Sequence, residues 1–258
     1  RRAIGGIGDF KCKPTDAHPY PVVLLHGLGG ISFEWSFIAG RLALEGYCTF
    51  PLDYGHVPGI PILGGLDDIK KSGPVVAEFV DRILAATGAP KVDIVGHSEG
   101  SLLMREYMKF NNGRAKTHSV VGIGSLAYGS SLYGLIDYLY QFGLADPLTK
   151  IVSPLCKACT QVVIHSDFLA ELNADGDAFP DINYLMITSK TDELVTPYSN
   201  GFLRTTGPNV HNVATQDLCG FDNQGHISQA YDPIVYNAIE TFLRTNDIQG
   251  VNCKSIIQ

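Results

Sequence analysis

Val92-Asp93-Ile94-Val95-Gly96-His97-Ser98-Glu99-Gly100-Ser101-Leu102-Leu103-Met104-Arg105-Glu106-Tyr107 is the stretch that decides the fold. It opens as a short apolar run that reads as a buried strand and closes as a helix from Ser101 onward. Between them lies G-x-S-x-G, the pattern of a strand-to-helix turn so tight that its serine is held at strained backbone angles. A side chain at Gly96 or Gly100 would collide with neighbouring backbone, so the glycines are a steric demand of the turn. Ser98 is therefore the candidate nucleophile. A small-residue turn that merely contains a serine needs neither the strand before it nor the helix after it.

Outward from that stretch, Pro21-Val22-Val23-Leu24-Leu25 is a continuous apolar run into the glycine-rich His26-Gly27-Leu28-Gly29-Gly30. It reads as a central strand feeding a loop. Helical spacing over residues 35–45 stops at Gly46, a second strand covers 47–52, and 56–65 is a Pro- and Gly-rich loop. Residues 69–87 carry a helical pattern closed by Gly88, with Pro74 placed in the first turn of its main section. Further strands are predicted over 91–95, 119–123, 182–188 and 210–215, and a closing helix over 233–243. Such alternation predicts an α/β class with a mostly parallel sheet of about six strands, helices on both faces. With the elbow after the third strand, the sheet is expected to be of the α/β-hydrolase type. No repeat, low-complexity segment or charged linker divides the chain, which reads as one domain over 1–258.

The alternation breaks between Ser125 and Asp167, where Leu126, Tyr128, Leu132, Tyr133, Leu135, Ile136, Tyr138, Leu139, Tyr140, Phe142 and Leu144 crowd together. An insertion this apolar after a central strand overhangs the carboxyl edge of the sheet, where ligands of open α/β sheets bind. Residues 126–165 are thus expected to form a lid or acyl cleft, with an ordinary packed helical hairpin as the alternative.

The formal net charge of −7, with no basic stripe, argues against a nucleic-acid partner and a polybasic membrane anchor. No apolar run is long enough to span a bilayer. The start at Arg1-Arg2 instead of Met is read as a mature or trimmed form. Six cysteines scattered over the chain (12, 48, 156, 159, 219 and 253) fit three disulfides in an oxidising, extracellular compartment. Cys156-Lys157-Ala158-Cys159 raises zinc or redox chemistry, but only single cysteines lie downstream to complete a zinc site, and a redox C-x-x-C usually belongs to a much smaller domain. The stretch Asn173–Asp177 hints at a calcium loop, without the sixth-position glycine or final glutamate. Neither G-x-G-x-x-G nor a P-loop lysine accompanies the glycine-rich loop. No cofactor and no metal are expected.

A serine hydroxyl needs a base within hydrogen-bond reach, and the base needs a carboxylate to fix its tautomer. In this type of sheet the chain order is Ser, then Asp or Glu, then His. Asp192 follows a late strand and fits the acid, with Glu193 as fallback; Asp175, Asp177 and Asp181 precede that strand, and Asp217 and Asp222 come after the next. His226, in Asn223-Gln224-Gly225-His226-Ile227 beyond the last strand, fits the base better than His165 or His211. The oxyanion hole should combine the backbone N–H of Glu99 with that of Leu28 in the first glycine-rich loop.

With these residues in place the chain resembles the secreted triacylglycerol lipases of actinobacterial type, the class 2 lipases, over roughly 12–243. The marks are residues 21–27 (PVVLLHG), 46–55 (GYCTFPLDYG), 96–100 (GHSEG), 188–198 (TSKTDELVTPY) and 216–219 (QDLC) leading to His226. The fourth is the narrowest. The resemblance implies an extracellular serine esterase acting on medium- to long-chain acyl esters at a lipid–water interface, with Ser98, Asp192 and His226 as its triad. It also implies the disulfides Cys12–Cys48, Cys159–Cys219 and Cys156–Cys253. The chain departs from it where His26-Gly27-Leu28-Gly29 replaces His-Gly-Thr, and again over 126–134. A polyesterase or cutinase-like enzyme, or an acyltransferase, would use the same residues; a catalytically silent binding module would usually lack one of the three.

Overall fold

The valine- and isoleucine-rich runs pair into one parallel sheet in the computed structural model, which describes residues 5–254. Arg1 and Arg2, read above as a trimmed start, lie outside the described residues. The strands are β1 (Gly6–Ile7), β2 (Val22–Leu25), β3 (Cys48–Leu52), β4 (Val92–His97), β5 (Thr117–Ile123), β6 (Asn183–Thr188) and β7 (Val210–Ala214). Among the described residues the sheet has seven strands in the order β1-β3-β2-β4-β5-β6-β7, every neighbouring pair parallel. The sequence reading of about six missed β1. Two residues carry no periodicity, and Gly6 and Ile7 are strand only because they pair with Cys48 and Thr49.

The helices are α1 (Ser36–Glu45), α2 (Ile69–Thr87), α3 (Glu99–Phe110), α4 (Leu135–Gln141), α5 (Ala145–Val152), α6 (Lys157–Gln161), α7 (Asp167–Asn173), α8 (Thr215–Leu218) and α9 (Pro233–Thr245). Strand residues alternate between two cores. Val23, Leu25 and Ile94 face Val76, Val80, Leu102 and Tyr107 of α2 and α3. Val22, Leu24 and Val95 face Trp35, Ile38, Leu42, Ile239 and Phe242 on the α1 and α9 side. Burial on both faces is why the central strands read as unbroken apolar runs. Helix α2 is capped by the Asp68 side chain, which accepts from Lys70 N–H, and ends at Gly88 with φ 77°. Pro74 sits inside it, further along than expected, and removes one hydrogen bond from the ladder.

Residues 126–165 hold α4, α5 and α6 in succession rather than a two-helix hairpin. Their base is pinned: Ser130 N–H donates to Val162 O at 3.1 Å, and Ile164 N–H to Ser130 O at 3.1 Å.

The cysteine pairing corrects the expectation. Cys12 is joined to Cys48, but Cys156 pairs with Cys159 and Cys219 with Cys253, instead of Cys159–Cys219 and Cys156–Cys253. The reason is the layering. Ala158, between the first two, packs into the α2–α3 core, whereas Cys219 and Cys253 belong to the α9 core across the sheet. Cys156 N-caps α6, which brings Cys159 within a Cα–Cα distance of 5.3 Å. Among the described residues no helix is long and apolar enough to cross a membrane.

Candidate active site

The elbow forms where β4 passes between β2 and β5 and turns at once into α3. Ser98 takes φ 52° and ψ −118°, a conformation that costs an L-residue energy and persists only where its surroundings enforce it. Here they do. A Cβ on Gly96 would lie 2.4 Å from the Gly100 carbonyl carbon, and one on Gly100 would lie 2.1 Å from Leu25 O. Ser98 N–H donates to Ile123 O at 2.8 Å, which fixes the turn against β5.

The structure brings the three predicted side chains together. Ser98 Oγ lies 2.8 Å from His226 Nε2, and His226 Nδ1 lies 2.8 Å from Asp192 Oδ2. Because an ionised carboxylate only accepts, the Nδ1–H donates to Asp192 and leaves the Nε2 lone pair facing the serine. Asp192 Oδ1 also accepts from the N–H groups of Leu194 at 2.9 Å and Val195 at 2.8 Å, and Oδ2 from Gln229 Nε2 at 3.0 Å. Burial pushes its pKa up, but the His226 hydrogen bond and charge and the two amides outweigh burial, and the carboxyl is held below its ordinary range. All three side chains are buried.

The rivals lie elsewhere. Glu193 accepts His226 N–H at 2.9 Å and so holds the histidine's backbone rather than its ring. His165 meets Asp137 on the insertion, and His211 on β7 packs its ring against Phe242. Asp217 pairs with Lys190, Asp181 with Arg114, and Asp177 accepts from Tyr128, Arg204 and Thr205.

The loop after β2 folds over the nucleophile. A Cβ on Gly27 would be 3.1 Å from Ser98 Cβ, so a side chain there would press directly on the nucleophile. Gly29 N–H donates to Gly64 O at 3.0 Å and Gly64 N–H to Gly30 O at 2.9 Å, and Tyr54 O–H donates to His26 O at 2.6 Å. The intervening Leu28 N–H makes no hydrogen bond among the described residues. Glu99 N–H lies in the first turn of α3, where backbone donors have no partner within the helix. The Glu99 side chain points away into the protein. Both its oxygens are buried without a hydrogen-bond partner among the described residues, and burial pushes its pKa well above the usual value.

Sequence reasoning missed Gln229, three residues beyond His226, and the pair Glu34 and His97. His97 Nδ1 lies 2.7 Å from Glu34 Oε1. The only sign of it in the sequence is the histidine inside the elbow motif itself.

A cavity of 460 Å³ opens on Ser98 and is walled by Leu126, Leu132, Val162, Val163, Leu194 and Val195 together with the 27–30 loop. Outside it, Tyr133, Leu135, Tyr138, Phe142, Leu144, Leu148, Ile151 and Leu155 of the insertion are exposed. No cluster of metal-ligating side chains occurs among the described residues.

Residues 19–232 match the family model described as lipase (class 2). Over 92 residues the chain is 33% identical to a triacylglycerol lipase of Pseudarthrobacter phenanthrenivorans, a match covering 33% of this chain and 27% of that protein. Over 174 residues it is 25% identical to a triacylglycerol lipase of Vibrio cholerae, covering 67% of this chain and 51% of the other. The chain thus spans between about a quarter and about half of the length of these curated relatives. The crystal structure of Aspergillus fumigatus lipase B superposes with a TM-score of 0.70 at 17% identity, over 95% of this chain and 59% of that one, and shares its fold.

Proposed function

The chain belongs to the class 2 lipase family, and on that footing we propose that it hydrolyses carboxylic esters with Ser98, His226 and Asp192 as its triad. The observation that carries this reading is the unbroken line from Ser98 Oγ through His226 to Asp192, with 2.8 Å at each step, at the floor of an apolar cavity. Ser98 Oγ attacks the ester carbonyl as His226 Nε2 takes its proton, and ionised Asp192 stabilises the resulting imidazolium. The oxyanion receives the N–H groups of Leu28 and Glu99, the second also at the positive end of α3. His226 then protonates the departing alkoxide, and the acyl-enzyme is released by water activated at the same nitrogen.

The apolar walls favour medium- to long-chain acyl groups, triacylglycerols among them. The chain is one hydrolase domain in which residues 126–165 serve as lid or acyl cleft and present their exposed aromatic and aliphatic side chains to a lipid–water interface. Three disulfides support secretion. The test is a fluorophosphonate probe followed by peptide mass spectrometry. The expected result is one adduct, on the peptide that contains Ser98; folded protein that takes up no probe, or takes it up elsewhere, overturns the assignment.

A further inference from the structure

Beside the line of Ser98, His226 and Asp192 stands a second histidine–carboxylate pair that ester chemistry does not consume. His97 is buried, with Nδ1 2.7 Å from Glu34 Oε1 and Nε2 3.0 Å from the carbonyl oxygen of His226. Glu34 Oε2 accepts the Gly27 N–H at 3.3 Å. One continuous chain therefore runs from the Gly27 amide, through Glu34 and His97, to the His226 backbone. Its two ends are the loop that carries Leu28 and the loop that carries the base. The fit along it is close. A Cβ on Gly30 would lie 2.7 Å from Glu34 Oε2, one on Gly27 3.3 Å from His97 Nδ1, and one on Gly124 3.4 Å from His97 Nε2.

The partners dictate where the protons are. A carbonyl oxygen only accepts, so His97 Nε2 carries hydrogen; a second proton must lie between Nδ1 and Oε1, or two lone pairs would face each other. The pair accordingly shares one proton between Nδ1 and Oε1, as an imidazolium with a carboxylate or as an imidazole with a carboxylic acid, and its surroundings favour the first. Burial works against charge on His97, but the Glu34 hydrogen bond and charge, the His226 carbonyl and Asp192 outweigh it, and its pKa is raised. Burial likewise opposes charge on Glu34, and His97 with the Gly27 amide outweighs it, so its pKa is lowered. The other titratable groups that face the pair are His226 and Asp192 beside His97, and His26, Tyr54 and Tyr231 around Glu34.

We propose that Glu34 and His97 are positioning residues, a buried proton-bearing strut that sets the spacing between the oxyanion loop and the His226 loop. It rests on Ser98 and His226 acting as proposed above. Loss of its shared proton at alkaline pH turns the Nδ1 lone pair toward the carboxylate, drives the two apart and slackens both loops. His97 is the raised-pKa partner, so its contribution is lost as pH rises through its folded value, whereas that of Glu34, whose pKa is lowered, is lost only in acid; the alkaline limb therefore belongs to His97.

The discriminating variant is Glu34→Gln. Gly27 N–H fixes the amide oxygen, and the amide NH2 then donates to Nδ1 of a neutral His97 whose Nε2–H still meets the His226 carbonyl. Every hydrogen bond survives, but the shared proton no longer titrates. On a soluble p-nitrophenyl ester, Glu34→Ala should lower kcat about 10–100-fold with KM within about twofold. The wild type should show an alkaline fall in kcat, and Glu34→Gln should recover about tenfold of the loss and lack that fall. Fluorophosphonate labelling of the wild type separates the two readings. A wild type that does not label sinks the Ser98 assignment. A wild type that labels and turns over, with a Glu34→Ala of equal kcat or a Glu34→Gln that keeps the wild-type alkaline limb, overturns the strut alone. Should Glu34→Ala fail to fold, the pH profile of Glu34→Gln decides.

Discussion

The two walls of the cavity are built on opposite principles. On the elbow side, the 26–30 loop, Gly64, the turn at Ser98 and the loop at His226 are cross-tied by hydrogen bonds, and Gly64, Gly96 and Gly100 stand where even one carbon would not fit. On the facing side, residues 126–165 are held at their base by Ser130 and Ile164, while beyond it short helices carry exposed aromatic and aliphatic side chains. Proton transfer and oxyanion stabilisation reward placement to a fraction of an ångström, which directional bonds supply. Uptake of an apolar chain rewards area and tolerance of shape, which non-directional contacts supply. Substitutions on the first wall should therefore act on turnover of any ester, and those at the exposed side chains of the second, outside the cavity, should act only where the substrate is aggregated.

The strongest way to break that contrast is Ser98→Ala. It should lower kcat/KM on a soluble ester by about 10⁴–10⁶ without changing the melting temperature, read by p-nitrophenyl release alongside thermal unfolding. Near-wild-type turnover would move the chemistry off the elbow wall. Asp192→Asn comes next, at about 10²–10⁴ in kcat, because an amide cannot hold the imidazolium. It carries a stability signature as well. The Asp192 carboxyl is held below its ordinary value of 3.8, so what it contributes is complete above that value and lost as pH falls through the folded one. The gap in unfolding free energy between wild type and Asp192→Asn should be widest near neutrality and shrink in acid.

The contrast also explains what could be read from the sequence. The elbow was legible because a strained turn admits few residues, and Asp192 and His226 were legible because chain order is fixed by the order of the strands they follow. The region 126–165 was legible only as apolar content. Its division into α4, α5 and α6 depends on what each short segment packs against, and helices this short have little propensity signal. Glu34 and His97 escaped for another reason. They lie 63 residues apart, and their meeting is a product of the loop after β2 folding across the elbow. Cys12–Cys48 forms as expected, but the other two pairings failed in the same way: an even cysteine count limits pairing, while the side of the sheet on which each cysteine lies is a tertiary fact.

Disulfide removal probes the walls through stability. Cys12–Cys48 closes a separation of 36 residues and ties the first segment to β3, whereas Cys156–Cys159 spans 3 residues within the insertion. On loop entropy alone, a Cys12→Ser/Cys48→Ser double variant should lose about 4 kcal/mol of unfolding free energy and Cys156→Ser/Cys159→Ser about 2 kcal/mol. Denaturant titration of both measures the gap. Equal losses would mean that the short bridge braces the insertion by more than chain entropy, and the second wall would then be stiffer than its exposed surface suggests.

The smallest effect is the most specific to the second wall. Tyr133 is 76% exposed and Ile151 71% exposed, and neither lines the cavity. Replacing an exposed apolar side chain by serine should shift stability by no more than about 0.5 kcal/mol. If the two side chains enter a lipid surface, their loss together removes roughly 1.2 kcal/mol of transfer free energy, since immersion is partial. Tyr133→Ser/Ile151→Ser should then cut activity on an emulsified triglyceride about five- to tenfold while turnover of a soluble ester stays within about twofold. The same ratio should appear in the fraction of protein that sediments with the emulsion, because only adsorption has changed. A fall on both substrates would place these side chains in the support of the cavity instead, and the division between a wall for chemistry and a wall for uptake would no longer hold.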